Sequence, residues 1–291
     1  MKERRYRIQT SQEWDRPLVI AQVSDFHNGD AQAVSKVLRR CRPDLIALTG
    51  DLFIGYGSRE ADEEKQDENP YGKGFLAYQE NVLPLVRCCT ELAPTYFSLG
   101  NHEWVVTESD FAALRAEGLI ILDNQWVRDE ERGLVIGGLT SAMMTDFQRY
   151  RRKYGSDADY PHWSRHTDRI NLRAKDGWLN GFTRQEGYKI LLSHHPEYWC
   201  LRQPMLCKKR IDLVLSGHAH GGQIRLFGRG LYSPGQGILP RYTGGVFQGR
   251  FGTMVVSRGT TNTVPKIPRL FNPAEVVVIE CLPKKRLHTS H

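Results

Sequence analysis

Five short apolar runs in this chain each end on side chains that bind metal ions. The run from Pro17 to Val23 leads into Asp25-Phe26-His27, and Asp44 to Thr49 leads into Gly50-Asp51. Thr95 to Leu99 leads into Gly100-Asn101-His102-Glu103, Tyr188 to Ser193 into His194-His195-Pro196, and Ile211 to Leu215 into Gly217-His218-Ala219-His220. Short β-rich runs bounded by turn residues read as buried strands. Between the first two, Ala31 to Arg42 carries Val34, Val37, Leu38 and Cys41 at helical spacing, and Pro43 ends that helix. A strand–helix–strand unit implies parallel pairing in a sheet covered by helices, hence an α/β fold. In such a sheet the C-terminal strand ends share one edge, where sites form. The five loops are therefore expected to meet.

Other elements are weaker. A helix is expected from Ala77 to Glu91, disturbed at Pro84, and a short one from Asp110 to Glu117. Strands are expected at Leu119 to Leu122, Leu134 to Leu139, Gln223 to Phe227, Gly252 to Ser257 and Glu275 to Glu280. Residues 55–74 read as an exposed loop, and 143–186 as a mixture of helix and loop. With no repeat and no compositional break, one domain over 1–291 is expected, its core spanning about 17–281.

The donors specify a chemistry. Carboxylate and imidazole together suit first-row divalent ions, manganese foremost, with iron, zinc, cobalt and nickel also served. A structural zinc site would be closed and usually thiolate-rich. The candidates Asp25, His27, Asp51, Asn101, His194, His218 and His220 exceed one tetrahedral shell, so two ions sharing a carboxylate are expected. Each short motif alone is uninformative; five in order, each at a strand end, are not. His-x-His is the strongest, because period two sets both rings on one face of an extended segment.

Composition excludes some classes. Lys and Arg total 40 against 33 Asp and Glu, a formal charge of +7, which favours phosphate-bearing partners. The basic runs Lys2-Glu3-Arg4-Arg5 and Lys284-Lys285-Arg286 read as solvated tails able to touch a membrane surface. No basic–aromatic interleaving of the kind that grips a nucleic-acid strand is present. Without an apolar leader or membrane-length run, a cytoplasmic or membrane-peripheral location is expected. The six cysteines form no C-x-x-C pair and read as free thiols in a reducing compartment.

These motifs resemble those of the calcineurin-like metallophosphoesterase superfamily: D-x-H, G-D, G-N-H-[DE], a His before a Pro-containing loop, and G-H-x-H. The resemblance runs from about residue 17 to 281. Within the superfamily the chain is most similar to the bacterial branch of YkuE and YaeI phosphodiesterases. The shared features are Gly217 to Gln223, Leu239-Pro240, Tyr242, Gly244-Gly245, Pro265, Pro268-Arg269 and Asn272 to Glu275. The resemblance implies a four-layer sandwich of two packed mixed β-sheets flanked by helices, and phosphodiester hydrolysis by hydroxide held between two ions. It assigns Asp25, His27 and His220 to the first ion, Asn101, His194 and His218 to the second, and Asp51 to both. His195 would shape its loop, Glu103 would orient a histidine, and His102 would be the catalytic residue, contacting phosphate and protonating the leaving oxygen. Alternatives within the resemblance are a UDP-2,3-diacylglucosamine-type pyrophosphate hydrolase acting on a lipid-linked substrate, and a binding scaffold on the same fold. Specificity is expected from residues 55–76, 143–186 and 228–250.

Overall fold

The computed structural model describes residues 1–54, 75–103, 106, 108–141, 172–261 and 269–284. The loop expected at 55–74, the stretch 143–171, residues 262–268 with Pro265 and Pro268, and Lys285-Arg286 lie outside the described residues.

Two six-stranded mixed sheets carry the chain. The first contains β1 (Lys2–Gln9), β2 (Leu18–Val23), β3 (Leu45–Thr49), β4 (Thr95–Ser98), β5 (Ile120–Leu122) and β16 (Glu275–Leu282), in the order β1-β16-β2-β3-β4-β5. The second contains β6 (Gln125–Asp129), β7 (Leu134–Leu139), β8 (Tyr188–Ser193), β9 (Leu213–Ser216), β14 (Gly245–Gln248) and β15 (Thr253–Val256), in the order β14-β15-β9-β8-β7-β6. Strands β2 to β5 run parallel, as do β7, β8, β9 and β15. Between β9 and β14 lie two small hairpins, β10 (Arg225–Leu226) with β11 (Arg229–Gly230) and β12 (Tyr232–Ser233) with β13 (Gly237–Ile238).

Strand alternation separates the layers. Ile20, Leu45 and Ala47 face Ile190, Leu192, Leu213 and Leu215 in a core between the sheets. Their neighbours Ala21, Ile46 and Leu48 face outward onto α1 (Ala31–Cys41), α2 (Val82–Leu92) and α3 (Glu108–Ala116). On the far side, Val135, Leu191 and Val214 pack with Leu179 and Phe182 of α4 (Leu172–Thr183). This is the expected α/β four-layer arrangement. Among the described residues no helix is long and apolar enough to cross a membrane.

Helix α1 shows how local chemistry sets boundaries. The Asp30 side chain accepts the Ala33 N–H at 2.9 Å, and Arg42 adopts the left-handed conformation that closes the helix before Pro43. The helix expected from Ala77 instead splits into a 3₁₀ turn, Phe75–Tyr78, and α2 from Val82. Pro84 then falls in the first turn, where its missing N–H costs no helical bond.

Several expectations change. The basic N-terminal run is not a solvated tail, and the core does not begin near residue 17. Residues 2–9 form an edge strand in parallel register with β16, from Lys2 opposite Glu275 to Gln9 opposite Leu282. Its charges are partnered: Arg5 and Arg7 each donate to Glu280, at 2.8 and 2.9 Å, and Arg40 donates to Glu3 at 2.7 Å. An edge strand needs few apolar side chains, so its sequence resembles a tail. At the other end, Lys284 lies 3.9 Å from Glu13. Nor are all six cysteines free. Cys200 and Cys207 form a disulfide, because the Cys207 N–H donates to Trp199 O and folds the segment back on itself. The other four cysteines are free and buried.

The strand assignment generates a stability prediction. Deleting residues 1–9 removes the buried Ile8 and uncovers the backbone edge of β16. Losing Ile8 alone costs about 1.5–3 kcal/mol. Thermal denaturation of the truncated chain is expected to show a clear drop in midpoint; an unchanged midpoint would mean that these residues behave as a tail.

Candidate metal centre

All five strand-end loops meet where the two sheets abut. Bonds between the sheets pin them there. Gln22 Nε2, on β2, donates to Thr49 Oγ1 at 3.1 Å and to Ser216 O, at the end of β9, at 2.8 Å. The backbone N–H of His218 donates to Asp25 Oδ1 at 3.0 Å, and His194 Nδ1–H donates to Thr49 O at 2.8 Å. Carbonyl oxygens only accept, so this last bond places the His194 proton on Nδ1 and the lone pair on Nε2. His27 is set the same way by Nδ1–H donating to Phe53 O at 3.1 Å.

The seven expected donors are brought together in two groups. Ligand atoms of Asp25, His27 and His220 lie within 4.8 Å of one another, as do those of Asp51, His194 and His218. Asn101 joins the second group, its Oδ1 3.1 Å from His194 Nε2. Asp51 Oδ2 stands between the groups, 3.1 Å from His194 Nε2 and 3.6 Å from His27 Nε2. Every one of the seven is buried.

This geometry fits cations. His194 Nε2, Asn101 Oδ1 and Asp51 Oδ2 are all electron-pair donors, and they converge. Atoms of this kind repel unless a proton or a metal ion lies among them. Burial alone would depress His194, but the adjacent Asp51 carboxylate outweighs it, and without a cation the ring rises to about 10. Asp51 is correspondingly held well below the carboxylate range: burial opposes this, and the His194 charge overrides it. Burial first of all keeps His27, His218 and His220 below the usual histidine range, hence neutral with lone pairs available. His27 Nε2 and His220 Nδ1 are buried without hydrogen-bond partners. An imidazole nitrogen in that state suits a metal ion.

The backbone is strained to achieve this. Asp25, His27, Asp51, His218 and His220 all have positive φ, between 44° and 63°. That region costs a residue with a side chain of order 1 kcal/mol or more, and it persists where surrounding structure enforces it. Two glycines supply the room. A Cβ on Gly217 would lie 1.7 Å from Ser24 Oγ, and one on Gly50, whose φ is +82°, would lie 2.6 Å from His194 Nδ1.

Glu103 takes a different part from the one expected. Its carboxylate accepts backbone N–H groups from Asp51 at 2.9 Å, Leu52 at 2.7 Å, Phe53 at 3.3 Å and Gly100 at 2.5 Å. It thus fastens the Gly50-Asp51 loop to the Gly100-Asn101 loop. Burial and the Asp51 charge push it up to about 8. The spacing Asn-His-Glu contains the residue, but nothing in it distinguishes a backbone clamp from a histidine partner.

His102 borders the ligands: its ligand atom lies within 4.8 Å of those of His27 and Asp51, and its ring centroid is 4.6 Å from that of His27. Its N–H donates to Asp51 Oδ1 at 2.9 Å, and its Nε2 lies 3.9 Å from Asp51 Oδ2. Its side chain is 27% exposed, unlike the seven buried donors. His195 Nε2 lies 2.5 Å from Ser141 Oγ, one residue from His194 but outside the two groups. Two supports escaped sequence reasoning. Asn272 Nδ2 donates to His220 O at 2.7 Å and to Gln223 O at 3.1 Å. Arg269 donates to Asn272 O, Thr261 O and Arg258 O, at 3.0, 2.8 and 2.7 Å. Both lie in the Arg269…Asn272-Pro273 segment, whose motif carried no indication of this role.

A metallophosphoesterase of Aquifex aeolicus, otherwise uncharacterized, is 26% identical over 274 residues, covering 89% of this chain and 83% of its own. The Bacillus subtilis metallophosphoesterase YkoQ is 28% identical over 62% of this chain and 51% of its own length. Among solved structures, a dimetal phosphatase from Danio rerio superposes with a TM-score of 0.44 at 12% identity, covering 84% of this chain and 88% of that one. The family model for the calcineurin-like phosphoesterases matches residues 18–222, and this chain belongs to that family.

Proposed function

We propose that this chain is a dinuclear-metal-dependent phosphodiester hydrolase. The observation that carries the reading is the convergence of ligand atoms from both groups on Asp51 Oδ2, with His194 Nε2 at 3.1 Å and His27 Nε2 at 3.6 Å. Asp25, His27 and His220 would hold the first ion and Asn101, His194 and His218 the second, with Asp51 available to both. Manganese suits this mixture of carboxylate, amide and imidazole. When bound, such a pair supplies positive charge to phosphoryl oxygens and acidifies water for attack.

The chain's own residues do the rest. Thr49 O and Phe53 O fix the tautomers of His194 and His27. Glu103 holds two ligand loops at a constant separation. His102, edging the cluster with an exposed face, is placed to hydrogen-bond the substrate phosphate and to give a proton to the departing alkoxide. That proton matters because an alkoxide leaves phosphorus poorly, and histidine is suited to donate near neutral pH. The resemblance of Gly217 to Gln223 and Asn272 to Glu275 to a branch of phosphodiesterases supports a diester over a monoester.

One observation favours a second reading, a lipid-linked pyrophosphate substrate met at a membrane surface. Phe227, Ile238, Leu239 and Phe271 are 104%, 82%, 70% and 78% exposed. They sit on segments tied to the His220 loop: the Arg225 N–H donates to Leu270 O, the Leu231 N–H to Gly222 O, and Asn272 to His220 O. An apolar rim beside a phosphoester site suits acyl chains.

Two variants test the metal reading. Asp51→Asn is expected to lose bound metal and aryl phosphodiester turnover together. His102→Ala is expected to keep its metal and lose turnover by about 10²–10⁴-fold. An Asp51→Asn chain that keeps both ions and full turnover would sink the assignment. Substrate class is read from manganese-loaded wild-type protein offered a diester, a monoester and a lipid-linked pyrophosphate. The diester is expected to turn over fastest; preference for the lipid that vanishes in Phe227→Asp, with soluble diester turnover unchanged, would replace the first reading with the second.

A further inference from the structure

A second layer of unpartnered groups lies behind the metal donors. Glu197 is fully buried, and neither of its carboxylate oxygens has a hydrogen-bond partner. His195 Nδ1 and His218 Nε2 are likewise buried and unpartnered. Ligand atoms of His195, Glu197 and His218 lie within 4.8 Å of one another, and the two rings are edge-on with centroids 4.2 Å apart. His195 Nδ1 is 3.7 Å from Glu197 Oε2, long for a hydrogen bond. The cluster is sealed: Gly235 arches over Glu197, where a Cβ would come within 3.0 Å of Oε1.

Leaving a carboxylate buried with both oxygens unpaired is among the costlier things a fold does. The account closes if two ring N–H groups serve it. His195 Nε2 and Ser141 Oγ are 2.5 Å apart; with the hydroxyl as donor, the His195 proton sits on Nδ1, on the side of Glu197. His218 Nε2 is buried and unpartnered in the same cluster; a proton there, given to Glu197, would leave Nδ1 as the lone pair of that ring. Metal-ligating histidines are held in this manner, the far ring N–H given to a carboxylate that fixes the tautomer and makes the ring a better donor.

We infer that Glu197 is a positioning residue of the second half-site: its carboxylate accepts N–H groups from His218 and His195 and so orients His218 toward the ion shared with Asp51, Asn101 and His194. This rests on the dinuclear reading above and adds to it the residue that holds one ligand in place. The Pro196–Tyr198 3₁₀ turn presents it, immediately after His194-His195, so one short segment delivers both a ligand and the partner of another ligand.

The test is a manganese titration of full-length Glu197→Gln, followed calorimetrically, beside thermal melting of the metal-free protein. Replacing the buried carboxylate with a neutral amide of the same shape is expected to leave the metal-free midpoint unchanged or higher. Affinity for the second ion is expected to fall by about 10- to 100-fold while the first ion binds as in wild type. Glu197→Asp, with the charge on a shorter arm, is expected to lose less than Glu197→Gln. Opposite signs in stability and affinity separate positioning from packing. Glu197→Gln binding both ions with wild-type affinity overturns the inference. So does a variant that melts earlier and weakens both ions alike, and so does Glu197→Asp more impaired than Glu197→Gln. Wild-type protein that takes up no manganese overturns the dinuclear reading itself, and this inference with it.

Discussion

Like-natured atoms forced together at Asp51 set the terms for the rest of the molecule. A carboxylate oxygen and an amide oxygen each lie 3.1 Å from the same imidazole nitrogen, His194 Nε2, and such atoms repel in a low-dielectric interior unless a proton or a cation lies among them. They stay there because each is tied from behind. His194 is held by Thr49 O, Asp51 by the His102 N–H, and the Asp51 loop by Glu103. The His194 tie runs from the second sheet to the first, so the site can exist only where the sheets meet. The positive φ angles at five of the seven ligands belong to the same pattern, with local strain sustained by the sandwich.

The two sheets contribute unequal but complementary sets. From the first sheet come both Asp residues, His27 and Asn101; from the second come His194, His218 and His220. Each proposed half-site draws on both sheets, since His220 joins Asp25 and His27, while Asn101 joins His194 and His218. Slippage of one sheet against the other would therefore disrupt both half-sites at once. Gln22 and the Asp25–His218 backbone contact oppose such slippage within the buried zone.

Much of this was legible in the chain, for physical reasons. Apolar runs such as Leu45 to Thr49 and Tyr188 to Ser193 must be buried on both faces, so they declare themselves as central strands and their ends declare the site. What the sequence hides is whatever depends on a distant partner. Lys2–Gln9 is a strand only because β16 offers an edge, and its charged residues resemble a tail. Gln125–Asp129 is another edge strand with no apolar run to mark it. Glu103 and Glu197 are acidic residues next to motifs, and their roles become visible once four backbone amides surround one and two imidazoles face the other. The Cys200–Cys207 pair has no spacing signature, because the Trp199–Cys207 backbone contact creates it.

The central claim is that Asp51 is shared by two metal ions. Anomalous diffraction from crystals grown with manganese tests it most directly. The account predicts two peaks about 3.5–4 Å apart, one bounded by Asp25, His27 and His220, the other by Asn101, His194 and His218, with the Asp51 carboxylate between them. A single peak at saturating manganese, or a pair that Asp51 does not bridge, would contradict it.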